Sequence, residues 1–217
     1  MTKTISEVLE AISELQNAEK STAYPGVVDA VVCINLSTRA DRRQKVMQRF
    51  PHPFYFFTST PHSNPKHGCT QSHLDCIAWA KHKNFKNILV LEDDVVLTKS
   101  LDLTPIFPSS FDMLYLGGIC LDIYGQWWQP WTRGRMVCMH AYIVNERFYD
   151  TLLGCINYKN PQNILDSYLA DHVHSKHECF IITDPICVQE EDYSDLENRV
   201  KWKDFKWPKA GEMCAIP

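Results

Sequence analysis

Three carboxylates stand side by side at Glu92-Asp93-Asp94, directly after the apolar run Ile88-Leu89-Val90-Leu91. Adjacent carboxylates repel one another and raise each other's pKa. A divalent cation removes that cost by bridging them, and hard oxygen ligands suit Mg²⁺ or Mn²⁺. Such an ion commonly completes its shell with phosphate oxygens. A solvated turn is the alternative, because Asp is common in loops. Two further groupings point toward anions. Gly68-Cys69-Thr70-Gln71-Ser72-His73 reads as a loop meeting a helix, with Thr70 placed to cap it. Free N–H groups at a helix start favour anionic groups, while simple capping beside a surface histidine explains the same residues. The third grouping is Asn35-Leu36, followed by Arg39 and by Asp41-Arg42-Arg43. An arginine just past a strand can hold a diphosphate through two parallel bonds. The plainer reading is a charged helix face with Asp41 paired to Lys45 one turn on.

These groups must be positioned by the elements around them. Residues 1–20 read as an amphipathic helix, with Ile5, Val8, Leu9, Ile12 and Leu15 at helical spacing. Residues 27–36 form a buried-type strand, residues 39–50 a helix with a charged face, and residues 53–58 a short aromatic strand. A helix follows over 70–82, then strands over 87–91 and 113–116. Residues 124–133 form a Trp-rich loop, 136–144 a strand, 146–155 and 164–174 helices, and 179–183 a late strand. Strands alternate with helices, which predicts an α/β fold with a mostly parallel sheet flanked by helices. Ligands then bind beyond the carboxyl ends of the strands, where all three groupings fall.

Composition narrows the field further. The 217 residues fit one ordinary domain, and 45% hydrophobic with 22% charged residues is globular composition. The formal charge of −4 argues against a general nucleic-acid binder. Nine cysteines are an odd number without a Cys-x-x-Cys pair, which predicts reduced, mostly buried thiols in a cytoplasmic protein. No signal peptide is evident, and no apolar run approaches the roughly 18–20 residues that a membrane span requires. His172 and His174 are two apart and so on different helix faces; with His177 they read as a surface cluster rather than a metal site.

Taken together and in order, the three groupings resemble glycosyltransferase family 25, which includes lipooligosaccharide galactosyltransferases and collagen galactosyltransferases. The resemblance rests on Ile34-Asn35-Leu36 with Arg39 and Arg42, on Gly68-Cys69-Thr70-Gln71-Ser72-His73, on Leu91-Glu92-Asp93-Asp94, and on Asp112-Met113-Leu114-Tyr115-Leu116-Gly117. His140-Ala141-Tyr142-Ile143-Val144 and the stretch Pro185, Gln189, Ser194-Asp195 are similar to later motifs. It covers roughly residues 28–198, with 1–20 as an added helix and 199–217 as a tail.

The resemblance implies a single GT-A type domain, Rossmann-like, spanning 1–217. It implies an inverting enzyme that takes galactose or glucose from a UDP-sugar and uses Mn²⁺ or Mg²⁺. Asn35, Leu36, Arg39 and Arg42 would lie near the nucleotide, with Ser72 and His73 on the donor side. Asp94, with Glu92 or Asp93, would hold the metal against the diphosphate. Collagen-type members carry a histidine shortly after a late Pro to complete the metal shell; here Gln189 offers an oxygen in that place. Asp166 and Asp171 would stand near the acceptor, Asp166 as general base and Asp171 as the alternative. The acceptor is a glycan or glycoprotein hydroxyl. Trp127, Trp128 and Trp131 suit an acceptor platform or lid, because aromatic faces stack on sugar C–H surfaces. A loop packed down by its own aromatics is the alternative. In the tail, 201–209 interleaves bases with aromatics and suits either an edge strand or a peripheral contact with an anionic membrane. Two competing functions remain: a metal-dependent phosphohydrolase or nuclease, and a catalytically silent sugar-binding protein of the same fold.

Overall fold

The computed structural model describes residues 4–13, 16, 27–101, 107–124, 130–155, 164–190, 193–194 and 199–200. The chain opens with α1 (Ile5–Ala11), begun by a capping box. Thr4 Oγ1 accepts from the Glu7 N–H, and Glu7 accepts from the Thr4 N–H at 2.7 Å. The helix expected over residues 1–20 ends at Ala11. Beyond it the backbone forms antiparallel bridges instead, Ile12 to Phe57 and Gln16 to Phe54.

There follow β1 (Ala30–Leu36), α2 (Ala40–Arg49), β2 (Tyr55–Ser59), α3 (Pro65–His82), β3 (Asn87–Glu92) and β4 (Val95–Leu97). Then come β5 (Met113–Tyr115), β6 (Ile119–Ile123), β7 (Trp131–Val137), β8 (Ala141–Asn145), α4 (Tyr149–Gly154) and α5 (Leu165–His172). The last elements are β9 (Cys179–Ile182), β10 (Cys187–Gln189), β11 (Tyr193–Ser194) and β12 (Arg199–Val200). No helix among the described residues is long and apolar enough to cross a membrane. The eight described cysteines form no disulfide.

Eight strands form one sheet in the order β2-β1-β3-β8-β5-β9-β7-β6. β1 runs parallel to β2 and β3, and β5 parallel to β9. β8 is antiparallel to β3 and β5, and β7 is antiparallel to β9 and β6. The sheet is therefore mixed, and the expectation of a mostly parallel one is corrected. An apolar run such as Ala141-Tyr142-Ile143-Val144 signals two buried faces but carries no direction. The single strand expected over 136–144 is also two strands. Cys138 sits at φ 66, in the left-handed region that ends β7 before β8 begins.

Both faces of the sheet are covered at β1 and β3, which explains why these strands lack polar alternation, whereas β7 alternates buried and half-buried residues. Along β1, Ala30 and Val32 face one core while Val31 and Cys33 face the other. Along β3, Ile88 and Val90 divide in the same way from Leu89 and Leu91. The first core takes Val8, Leu74, Ile77, Trp79, Leu152 and Leu169 from α1, α3, α4 and α5. The second takes Val46 from α2.

His174 belongs to this interior, not to the expected surface cluster: it is fully buried. Its Nδ1 accepts from the Met136 N–H at 3.3 Å, and Nε2 meets the Tyr115 hydroxyl at 3.0 Å. Burial, with help from Arg135 and His177, pulls its pKa down to about 4. A histidine depressed in the folded state stabilises the fold above the unfolded value of about 6.5, and that contribution is lost as pH falls through the folded value. The expected loss is about 3 kcal/mol between roughly pH 7 and pH 4, read as a falling urea midpoint. His174→Gln should flatten that part of the profile; an unchanged profile would count against the assignment.

Candidate functional site

Because β1, β2 and β3 are parallel, their carboxyl ends share one edge of the sheet, with Leu36 opposite Ser59 and Ile34 opposite Glu92. β8 enters from that same edge, where the Glu92 N–H donates to the His140 carbonyl at 2.9 Å. β4 turns back beyond the edge and pairs antiparallel with β10, setting Gln189 opposite Val95. A cavity of about 320 Å³ opens there. Its walls include Leu36, Arg42, Ser72, His73, the whole acidic triplet, Asp166 and Gln189. The volume falls within the range of small-molecule sites.

The three carboxylates are held differently. Asp93 is buried and accepts from Asn35 Nδ2 at 2.7 Å and from Arg42 Nη1 at 2.9 Å. Burial pushes its carboxyl upward against the opposing pull of Arg42 and Asn35. Burial also works against the Arg42 charge, but Asp93 and Asp94 outweigh it and raise its pKa. Asp94 Oδ2 lies 3.6 Å from Arg42 Nη1, and both its oxygens lie 3.5 Å from Gln189 Nε2. Glu92 is the more open member: Oε1 faces His73 Nε2 at 3.3 Å and Oε2 accepts from Gln189 Nε2 at 3.2 Å. Arg42 offsets one of three negative charges, so the cluster retains a demand for positive charge.

The helix carrying Ser72 and His73 starts earlier than expected. Asn64 caps α3, accepting from the Lys66 and His67 N–H groups at 3.1 and 3.4 Å, and Pro65 fills the first turn. The Asn-Pro pair is a helix-start signal that the sequence reading passed over. Gly68 to His73 therefore lie inside the helix, and Thr70 does not cap it. Instead Thr70 Oγ1 accepts from the Leu165 N–H at 3.1 Å, tying the start of α5 to α3. Ser72 Oγ donates to the Gly68 carbonyl at 2.8 Å within its own helix. His73 Nδ1 is hydrogen-bonded to the Tyr142 hydroxyl at 2.9 Å. Burial keeps Tyr142 a protonated phenol.

α5 brings Asp166 to the cavity. Its Oδ2 accepts from the Cys138 N–H at 2.8 Å and its Oδ1 from the Ser167 N–H at 2.6 Å. Asp171 stands apart, half exposed, with Arg135 Nη2 at 2.7 Å. Arg39 forks onto Asp41 at 3.0 and 2.9 Å and holds that carboxyl well below its ordinary range. The expected Asp41–Lys45 pair is thus replaced; Lys45 reaches Glu190 at 3.1 Å. Trp131 packs its ring on Phe180 in β9, 4.4 Å between centroids. Neither Asp171, Arg39 nor Trp131 forms part of the cavity wall. Trp127 and Trp128 lie outside the described residues, as does the side chain of every residue in the tail. Cys69 and Tyr142 stand in the sequence motifs without a role, and Cys138 has none; their places depend on contacts distant in sequence.

No family model matches the chain, and no curated protein matches it. Among solved structures, the chain is similar to a glycosyltransferase involved in the glycosylation of the major capsid of PBCV-1, at 11% identity over 70% of this chain and 80% of that one, with a TM-score of 0.46. It is similar to A197 from STIV at 12% identity over 80% and 99% of the two chains, with a TM-score of 0.42. It is also similar to the nucleoside-diphosphate-sugar pyrophosphorylase from Vibrio cholerae RC9, at 11% identity over 70% and 72%, with a TM-score of 0.41. Likenesses this shallow say nothing of activity.

Proposed function

We propose that the chain is an inverting, metal-dependent glycosyltransferase that moves galactose or glucose from a UDP-sugar to a hydroxyl of a glycan or glycoprotein. One observation carries the reading: the acidic strand end, Gln189 and Asp166 line a single cavity at the carboxyl edge of the sheet. The resemblance of the ordered motifs to family 25 is consistent with this reading.

The donor set at the strand end is made of carboxylates and an amide, which fits Mn²⁺ or Mg²⁺. Glu92 and Asp94 would hold the ion with Gln189, its amide turned to offer oxygen, while Asp93, bound to Arg42 and Asn35, keeps the triplet in register. Bound there, the ion supplies charge neutralisation for a departing diphosphate. Arg42 adds a fixed cation at the same wall. Leu36 and the residues around Ser59 form the neighbouring surface, where the nucleotide would lie. His73 and Ser72 would border the donor. Asp166 would take the acceptor proton, and Trp127 and Trp128 would serve the acceptor side, whereas Trp131 packs on Phe180 away from the cavity. The absence of a disulfide among the eight described cysteines suits a reducing compartment such as the cytoplasm.

Incubation with a panel of UDP- and GDP-sugars and Mn²⁺, with and without candidate acceptors, tests the reading by nucleotide release. Release that depends on the sugar supports it. Phosphate-ester cleavage without sugar preference would favour a phosphohydrolase, and binding without turnover a silent sugar binder.

Asp166→Asn should lower turnover about 10²-fold, the low end of the range for a general base. The low end follows because backbone amides already occupy both carboxylate oxygens, which lessens their basicity. Donor binding, followed by calorimetry, should persist. Unchanged turnover would remove Asp166 from the role.

A further inference from the structure

Cys69 and His73 lie four residues apart in α3, so both side chains emerge on one helix face. Glu92, from the end of β3, meets that face. A Cys69 sulfur, a His73 ring nitrogen and a Glu92 oxygen all lie within 4.8 Å of one another. All three residues line the cavity. We infer that Cys69, His73 and Glu92 form a transition-metal site of the zinc class beside the hard-ion set at Asp94, with Glu92 facing the first through Oε1 and the second through Oε2.

The donor types argue for this class. Thiolate and imidazole select Zn²⁺ over Mg²⁺ or Mn²⁺, which prefer oxygen alone. The geometry argues for it too. Zinc–nitrogen and zinc–oxygen bonds of about 2.0 Å at a tetrahedral angle set the two ligand atoms about 3.3 Å apart. His73 Nε2 and Glu92 Oε1 are 3.3 Å apart. The histidine is also held as a ligand would be. It is buried, and its far nitrogen is hydrogen-bonded to the Tyr142 hydroxyl, so the ring orientation is fixed from behind. In the metal-bound form the Nδ1 proton points at Tyr142 and the Nε2 lone pair at the ion. Cys69 is half-buried at the cavity wall, with its sulfur within 4.8 Å of the other two ligand atoms. Binding releases the Cys69 thiol proton to solvent as the metal–sulfur bond forms. Three protein ligands leave a fourth position toward the cavity, the pattern of a site that takes water or substrate. The site does not depend on the transferase reading, because none of its evidence involves a nucleotide sugar.

Cobalt titration of chelator-treated, full-length protein tests it. Co²⁺ should bind at one equivalent and give a thiolate-to-cobalt charge-transfer band with the intense visible bands of four-coordinate cobalt; Zn²⁺ should displace both. Cys69→Ser should abolish the charge-transfer band, while Cys138→Ser, altering another thiol at the same cavity, should retain it. Tyr142→Phe should weaken cobalt affinity about 10–100-fold. Circular dichroism confirms that each variant is folded. Absence of the band, or its persistence in folded Cys69→Ser protein, would overturn the site. Either result leaves sugar-nucleotide turnover to be judged by its own assay.

Discussion

Asp94→Asn is expected to cut sugar-nucleotide turnover about 10³-fold, roughly 4 kcal/mol of transition-state stabilisation. Asp94 and Glu92 converge on Gln189, whereas Asp93 is turned to Asn35 and Arg42. An amide at position 94 keeps the shape and the neighbouring Gln189 but removes one negative charge. The loss should appear as weaker Mn²⁺ binding by calorimetry as well as slower nucleotide release. Stability should hold or rise, because the change relieves repulsion among adjacent carboxylates. Asp93→Asn is the informative contrast: its effect should fall on stability more than on metal affinity. Equal loss of Mn²⁺ affinity in both variants would mean that Asp93 is itself a ligand.

The acidic triplet was legible because its signal is local: an apolar run that fills two sheet faces, broken at once by charge. The same holds for β1, β2 and α2, which stand close to their expected bounds. What escaped was set by contacts across the chain. β8 is as apolar as a parallel strand, and only its neighbours β3 and β5 reveal that it runs the other way. The break between β7 and β8 hangs on the backbone of Cys138, a residue type with no leaning toward positive φ. His174 looked exposed beside His172, but the short helical turn after α5 carries it inward to Tyr115. Cys69 and His73 stand one turn apart only because α3 starts at Pro65, ahead of the expected bound, and Glu92, nineteen positions beyond His73, joins them through the packing of α3 against the sheet. Asp171 and Asp166 share a helix, yet one faces the cavity and the other Arg135, because five residues do not return to the same helix face.

Arg42→Met should destabilise the fold by about 3–5 kcal/mol, the cost of leaving a buried charge without its partner. Both side chains of the Arg42–Asp93 pair are nearly inaccessible, at 9% and 8% of full exposure. Methionine fills much of the arginine stem's volume, so lost packing contributes little and the measured cost falls on Asp93. That carboxyl is already pushed upward by burial with the guanidinium in place. Without Arg42 it is pushed further. A carboxyl raised in the folded state destabilises above its folded pKa, and the penalty vanishes as pH falls below the unfolded value. The stability gap between wild type and Arg42→Met should therefore narrow on acidification, and the His174 contribution cancels because both proteins carry it. The double variant Arg42→Met/Asp93→Asn should recover most of the loss at neutral pH. Asn35 can still donate to the new amide's oxygen, and of Arg42's ion pairs only the longer one to Asp94, at 3.6 Å, is left uncompensated. Urea unfolding of the two single variants and the double variant closes the cycle. A double variant no more stable than Arg42→Met would show that the arginine acts through packing. Recovery of stability without recovery of turnover would mean that the pair is kept for the charge it presents to the cavity, at a cost that a neutral pair avoids.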